Sequence, residues 1–196
     1  KGTKTVNFNI RPATVTKLKV SSTGEKSVKL SWKKVTGADS YAIYRYDNTS
    51  KKWQRIKTVK AVSFTDSGLA RAKGYSYKVK AVKKSGGKEY ISASYSKAVE
   101  AVTKPAKASC TAKSAGSGSI EVSWKAVGGA SGYEIYSSSN GSDYVKSAKV
   151  GGSHKSAIVS GFEPYSLRMV KVRAYKTVNG KTSYGAFSQA VMVIVR

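Results

Sequence analysis

The sequence predicts an all-β chain folded as two tandem β-sandwiches. Three observations predict this fold class. The sequence repeats itself at an offset of 92 or 93 residues, apolar residues alternate at every second position within each repeat, and turn-forming residues separate the apolar runs. No stretch sustains the period of about 3.6 residues that is typical of a helix.

The internal repeat is clearest around two tryptophans. The segment Val28–Trp32 returns as Ile120–Trp124, and the two tryptophans lie 92 positions apart. Three further pairs of segments follow in the same order: Tyr41–Tyr44 with Tyr133–Tyr136, Val79–Ala81 with Val172–Ala174, and Ser96–Val99 with Ser188–Val191. Two homologous domains are therefore predicted.

The domain boundary is predicted close to Pro105. The two copies are predicted to span residues 12–103 and 104–196, and residues 1–11 are interpreted as the tail of a preceding β-domain or a linker, because Thr5–Ile10 alternates like a strand. The connection Val102–Pro105 is short and contains a proline with restricted φ, so it is expected to limit bending between the domains.

Strands and turns alternate along each copy. Val28, Leu30 and Trp32 alternate with polar residues, as expected for a strand with one buried face. The pairs Asn140–Gly141 and Asn179–Gly180 predict two-residue hairpin turns, because both central residues of such turns need positive φ.

Each copy resembles a fibronectin type III domain. The resemblance rests on a strand B tryptophan, a strand C tyrosine and the Val-x-Ala of strand F, here Trp32 with Trp124, Tyr41 with Tyr133, and Val79–Ala81 with Val172–Ala174. It implies two seven-stranded, immunoglobulin-like Greek-key sandwiches, as in tandem fibronectin type III domains of a bacterial secreted or cell-surface protein.

The resemblance also implies a tyrosine corner in the first copy. There Leu69 and Tyr75 match the motif, in which the phenol hydrogen-bonds back to the chain. The second copy has Arg168 at the matching position, so either the corner is lost or Tyr165 replaces it.

Composition argues against catalysis and against metal binding. The chain carries 36 Lys or Arg but only 10 Asp or Glu, and a single cysteine and a single histidine, Cys110 and His154. One cysteine excludes an internal disulfide, and the pair cannot build a structural zinc site. Cys110 alternates with alanines and is interpreted as a core residue, and neither a cofactor nor a metal is expected.

The net charge of +26 suggests a location among anionic polymers. Residues 1–103 carry a net charge of +17 and residues 104–196 a net charge of +9, so the first copy should dominate any polyanion binding. The lysines follow strands and turns instead of one recognition helix, which argues against sequence-specific nucleic-acid binding. No apolar run is long enough to span a membrane.

A candidate ligand-binding face follows from strand alternation. Successive side chains of a strand point to opposite faces of the sheet. If Tyr41 and Ile43 point into the core, the residues at the alternate positions of the same strand point outward, and the neighbouring strands follow the same rule. These candidates are Tyr44, Tyr46, Trp53, Lys78 and Lys80 in the first copy, and Tyr136, Lys171 and Arg173 in the second. Rings flanked by cations suit teichoic acid, sulfated or uronic-acid glycans, or a nucleic-acid backbone. The alternative is an ordinary solvated sheet face.

The expected function is that of a non-catalytic spacer and display element in a multimodular protein. Its composition is similar to that of Gram-positive surface proteins, so an extracellular, secreted or cell-wall-associated location and a monomeric state are expected. The expected partners are neighbouring domains of the same polypeptide, and further candidates are cell-wall polymer, anionic glycan or other carbohydrate. Two alternatives remain open: an adhesion module acting through the Tyr/Lys faces, and accessory domains of a polysaccharide-degrading enzyme.

Overall fold

The computed structural model of the chain describes residues 11–196. This part of the chain contains sixteen β-strands and no helix, as the period-two alternation predicts. No helix among residues 11–196 is therefore long and apolar enough to cross a membrane. The strand predicted at Thr5–Ile10, and with it the predicted N-terminal tail up to residue 10, lies outside the described residues.

The first sandwich contains eight strands in two sheets. They are β1 (Lys19–Thr23), β2 (Ser27–Ser31), β3 (Ser40–Asp47), β4 (Lys52–Val59), β5 (Ser63–Ser67), β6 (Gly74–Ser85), β7 (Lys88–Ile91) and β8 (Val99–Val102). One sheet has the order β1-β2-β5 and the other the order β4-β3-β6-β7, with β8 also paired to β6.

The second sandwich repeats this arrangement. Its strands are β9 (Thr111–Gly116), β10 (Ser119–Ser123), β11 (Gly132–Ser138), β12 (Val145–Gly151), β13 (Ser156–Ser160), β14 (Leu167–Val178), β15 (Lys181–Tyr184) and β16 (Val191–Ile194). The sheets have the orders β13-β10-β9 and β12-β11-β14-β15, and β16 pairs with β14. The predicted all-β fold with two tandem sandwiches is confirmed.

The last of the seven predicted strands is divided in each sandwich. Between β7 and β8 the chain stays bonded to β6, because the Ser92 and Ser96 amides donate to the Ala81 and Val79 carbonyls. The Ser96 hydroxyl also accepts the Val79 amide at 3.0 Å. This side-chain bond replaces a ladder bond and separates the two pieces of the strand.

The two cores consist of the residues that alternation assigns to the inner faces. In the first sandwich Trp32 packs edge-on against Tyr41, whose hydroxyl accepts the Val35 amide at 2.9 Å. In the second, Trp124 packs against Tyr133, whose hydroxyl accepts the Val127 amide at 2.7 Å. The repeated Trp and Tyr therefore have the same role in both sandwiches. Each pair packs in the core, and the tyrosine hydroxyl binds the loop before β3 or β11.

One of the two predicted Asn-Gly hairpins is wrong. Asn179 and Gly180 both have positive φ, 48° and 75°, and form the predicted two-residue turn between β14 and β15. Asn140 and Gly141 instead lie in a six-residue loop, where the Asn140 side-chain oxygen accepts the backbone amides of Ser142 and Asp143. That local bonding replaces the tight turn.

The corner of the second sandwich is lost. Tyr165 is 85% exposed and so cannot supply a buried corner hydroxyl. Arg168 lies over the Phe162 ring, with 5.1 Å between the guanidinium carbon and the ring centre. In the first sandwich the guanidinium carbon of Arg45 lies 5.8 Å from the centre of the Tyr75 ring. The corner hydrogen bond of the Tyr75 hydroxyl stays a prediction.

Cys110 comes directly before β9 and packs against the second core, half-buried, as interpreted from the sequence. Burial raises the pKa of its thiol. Within residues 11–196 it is the single cysteine.

The described chain divides into two compact units, each of which contains three separate segments of the sequence. The first contains 11–23, Ser27–Ser67 and Tyr75–Ala101, and the second contains Gly24–Lys26, Gly68–Gly74 and Val102–Arg196. Since two loops group with the later residues, this division does not decide the boundary at residues 103 and 104, which stays a prediction.

Candidate functional site

The outward face of the sheet β4-β3-β6-β7 presents the predicted aromatic and basic side chains. Tyr44 and Tyr46 alternate with inward-facing residues of β3, and the register places Tyr44 opposite Lys78 and Tyr46 opposite Trp53. We call Tyr44, Tyr46, Trp53, Lys78, Lys80 and Tyr95 the first cluster. The structure thus brings together all five residues predicted in this copy and adds Tyr95.

Rings and cations alternate within the first cluster. The Lys78 ammonium lies 4.4 Å from the centre of the Trp53 ring and 5.4 Å from that of Tyr95. Tyr95 packs edge-on against Tyr44, and Tyr46 edge-on against Trp53, with ring centres 4.9 Å and 5.4 Å apart. Such contacts pull electron-rich ring faces and ammonium groups together, so part of each ring face is covered from within the protein.

Lys80 completes the first cluster. Its ammonium lies 4.3 Å from the Tyr95 ring centre and donates to the Ala93 carbonyl at 3.1 Å. Neither Lys78 nor Lys80 forms an ion pair with a carboxylate of residues 11–196. Both positive charges are therefore uncompensated by the described chain.

A shallow groove of 280 Å³ lies beside this cluster. Its lining combines cations, phenols and one carboxylate: Arg11, Tyr44, Lys80, Glu89, Tyr90, Ile91 and Ser92. Glu89 is paired with Arg55 at 3.0 Å, and this contact holds the pKa of Glu89 below its usual value. Partial burial, together with the neighbouring Tyr95, raises the pKa of Tyr44, so its phenol stays a hydrogen-bond donor.

The second sandwich has an equivalent cluster with a different charge balance. We call Glu134, Tyr136, Tyr144, Lys171, Arg173 and Phe187 the second cluster. The Lys171 ammonium lies 3.5 Å from the Tyr144 ring centre and 4.6 Å from that of Phe187. The predicted residues Tyr136 and Lys171 face each other in the register of β11 and β14.

Arg173 is bound inside the second cluster. Its Nε and Nη2 donate to the same Glu134 oxygen, Oε2, at 2.9 Å and 2.7 Å, and Nη2 also donates to the Tyr136 hydroxyl. Lys146 lies 3.4 Å from the other Glu134 oxygen. Burial alone would raise the pKa of Glu134, but Arg173 and Lys146 outweigh it and hold that pKa below its usual value.

The two clusters differ in charge balance because of the residue opposite the last cation of each. Ala42 pairs with Lys80 across β3 and β6, and Glu134 pairs with Arg173 across β11 and β14 at the equivalent register position. The first cluster therefore keeps its cations free of acids, whereas the second neutralises one of its own.

Sequence reasoning missed Tyr95, Phe187, Tyr144 and Glu134. A signal existed for the first two, since each directly precedes a repeated serine, Ser96 or Ser188, at the offset of 92 residues. Glu134 sits in the outward half of the Tyr-x-Ile repeat, where an acid looks like an ordinary solvated residue. Its side chain is only 2% exposed.

Within residues 11–196, no group of three or more His, Cys, Asp or Glu is arranged to hold a metal ion. His154 is exposed in the turn after β12. The acidic side chains Asp47, Asp66 and Glu134 are held by hydrogen bonds from neighbouring side chains. The two clusters therefore stay the candidate ligand-binding surfaces.

No family model matches the chain. A poly(3-hydroxybutyrate) depolymerase from Ralstonia pickettii is 43% identical over 100 residues, which cover 51% of this chain and 18% of that enzyme. The chain thus matches less than a fifth of the length of this curated relative.

Two solved structures are similar to the chain. The FN1–FN3 segment of chicken contactin has 19% identity and a TM-score of 0.46, and the match covers 95% of this chain and 68% of that one. A two-domain fibronectin type III segment of chicken tenascin has 16% identity and a TM-score of 0.54, and the match covers 92% of this chain and 99% of that one. Together with the two repeated sandwiches, the tenascin match shows that the chain has the fold of tandem fibronectin type III domains.

Proposed function

We propose that the chain is a non-catalytic spacer that holds neighbouring modules of an extracellular protein at a set distance. The observation that carries this proposal is the complete duplication of a closed sandwich. Trp32 with Tyr41 and Trp124 with Tyr133 anchor separate cores, each of which buries its own inward strand positions. Each sandwich thus has its own core, and a spacer role needs no ligand.

The connection between the copies supports the same role. Thr103 is fully buried, and its hydroxyl donates to the Ala70 carbonyl at 2.7 Å. Its backbone amide donates to the Lys73 carbonyl, and Pro105 follows two residues later. The first copy is therefore fixed by hydrogen bonds up to its last residue, and Pro105 restricts the backbone that follows it.

Stretching single molecules of the full chain tests the mechanical part of the proposal. We expect two separate unfolding events, each releasing roughly 300 Å of contour length, because about 90 residues extend by about 3.4 Å each. One event of twice that length would contradict two independent mechanical units.

A second candidate is an accessory part of a polymer-degrading enzyme. The sequence identity with the poly(3-hydroxybutyrate) depolymerase favours it, although the matched region is a small part of that protein. In this case the chain itself would leave poly(3-hydroxybutyrate) intact. Release of soluble hydroxybutyrate by the purified chain would overturn the non-catalytic assignment in both candidates.

A further inference from the structure

We propose that the first cluster and its groove form a binding site for an acidic polysaccharide, and that the second cluster does not. This inference is independent of the spacer role, because a spacer needs no ligand. It depends on the charges and hydrogen-bond donors that each cluster leaves unused.

The ammonium groups of the first cluster keep donors available. An ammonium group has three N–H donors. Lys80 uses one on the Ala93 carbonyl, and Lys78 contacts ring faces without a carboxylate partner among the described residues. Both lysines lie over the Tyr95 ring, so two positive charges are held close together on one sheet face. This arrangement is complementary to a chain of negative charges.

The groove supplies the groups that recognise a sugar in addition to its acid. Tyr44 and Tyr90 offer ring surface and phenol donors, and Arg11 and Lys80 offer cations in the same 280 Å³ space. The Glu89 carboxylate in the lining is already paired with Arg55. A simple polyanion such as polyphosphate would use the cations and leave both tyrosines without a role, so the lining favours an acidic sugar.

The second cluster keeps fewer of these free groups, because Lys171 has no carboxylate partner among the described residues but Arg173 does. Arg173 donates to Glu134 and to the Tyr136 hydroxyl, and the Tyr184 ring covers its guanidinium at 4.1 Å. A ligand carboxylate would compete for Arg173 with the Glu134 carboxylate, which is 2% exposed. Displacing a partner from a buried ion pair leaves an uncompensated charge and is therefore strongly unfavourable.

Calorimetric titration of the full chain with polygalacturonate oligosaccharides tests the proposal. We expect saturable binding that Lys80→Gln weakens by about tenfold or more. The matched control is Lys29→Gln, which removes one charge from the outward face of the other sheet and should change the affinity by less than about twofold. Equal losses in the two variants, or no saturable binding, would overturn the proposal.

Two further comparisons separate the sugar from the charge and the site from the fold. Tyr90→Ser should weaken binding of polygalacturonate but not of inorganic polyphosphate, and a variant that binds both polymers as the unaltered chain does, or that loses both equally, would contradict a sugar site. The double variant Ala42→Glu/Lys80→Arg copies the Glu134–Arg173 pair into the first cluster and should abolish binding. Retained affinity in a folded double variant, checked by circular dichroism, would contradict the assigned difference.

Discussion

At the scale of single residues, the two sandwiches use different solutions at equivalent positions. In the first, Asp66 accepts hydrogen bonds from Arg45 and from the Tyr77 hydroxyl, both at 2.8 Å. Burial, followed by these contacts with Asp66, raises the pKa of Tyr77 strongly. The register places Ser137, Val159 and Val170 at the equivalent positions of the second sandwich. A polar link between sheets is thus replaced by an apolar contact.

Glu134→Gln tests the ion pair of the second cluster. Because the folded-state pKa of Glu134 is lowered, its carboxylate stabilises the second sandwich above about pH 4.5, and this stabilisation is lost as the pH falls through the folded-state pKa. In Glu134→Gln we expect a lower free energy of unfolding at neutral pH, and a smaller loss of this free energy when the pH is lowered. Urea titrations at several pH values, followed by NMR signals of β11 and β14, measure both effects.

The control for this prediction is Glu163→Gln, which changes an exposed carboxylate of the same sandwich. It should leave the acid dependence of β11 and β14 close to that of the unaltered chain. If the stability of β11 and β14 falls in acid as steeply in Glu134→Gln as in the unaltered chain, the proposed role of the Glu134–Arg173 pair is contradicted.

At the scale of elements, the divided last strand depends on one serine in each sandwich. The Ser96 and Ser188 hydroxyls accept the Val79 and Val172 amides, both at 3.0 Å. Ser96→Ala or Ser188→Ala leaves a buried amide unsatisfied, so we expect each to destabilise its own sandwich by about 1–3 kcal/mol. Hydrogen exchange of β6 and β14 amides measures the loss separately for each sandwich.

Ser94→Ala is the matched control for the first of these variants, because Ser94 is exposed and contributes its carbonyl, not its hydroxyl, to the Ser92 bond. Similar losses for Ser94→Ala and Ser96→Ala would show that the segment, and not the hydroxyl, stabilises β6.

The elements that sequence alone predicted are those governed by alternation. Outward Tyr44 and Lys78 follow from a period of two, which is a local property of an extended chain. The contact of Tyr95 with both lysines depends on a segment that returns to β6 some fifteen residues later, and alternation says nothing about it. The failed hairpin at Asn140 has a related cause, since its side chain bonds the local backbone and a longer loop becomes favourable.

At the scale of the whole molecule, the net charge of +26 is spread over sheet faces that differ in how many of their cations are paired with acidic side chains. In the second sandwich Glu134 compensates Arg173 and Lys146, whereas the described acids leave Lys78 and Lys80 unpaired. Repetition of the fold therefore does not imply repetition of the surface.

The central claim is that the two domains hold a set distance. Pulsed electron paramagnetic resonance, which measures the distance between two spin labels, tests this claim most directly. Spin labels at Lys29→Cys and Ser153→Cys, both exposed, in a Cys110→Ala background report the separation of the sandwiches. We expect a narrow distance distribution that broadens when a flexible Gly-Gly-Ser-Gly segment is inserted after Lys104. A distribution that is already as broad without the insertion would contradict the spacer role.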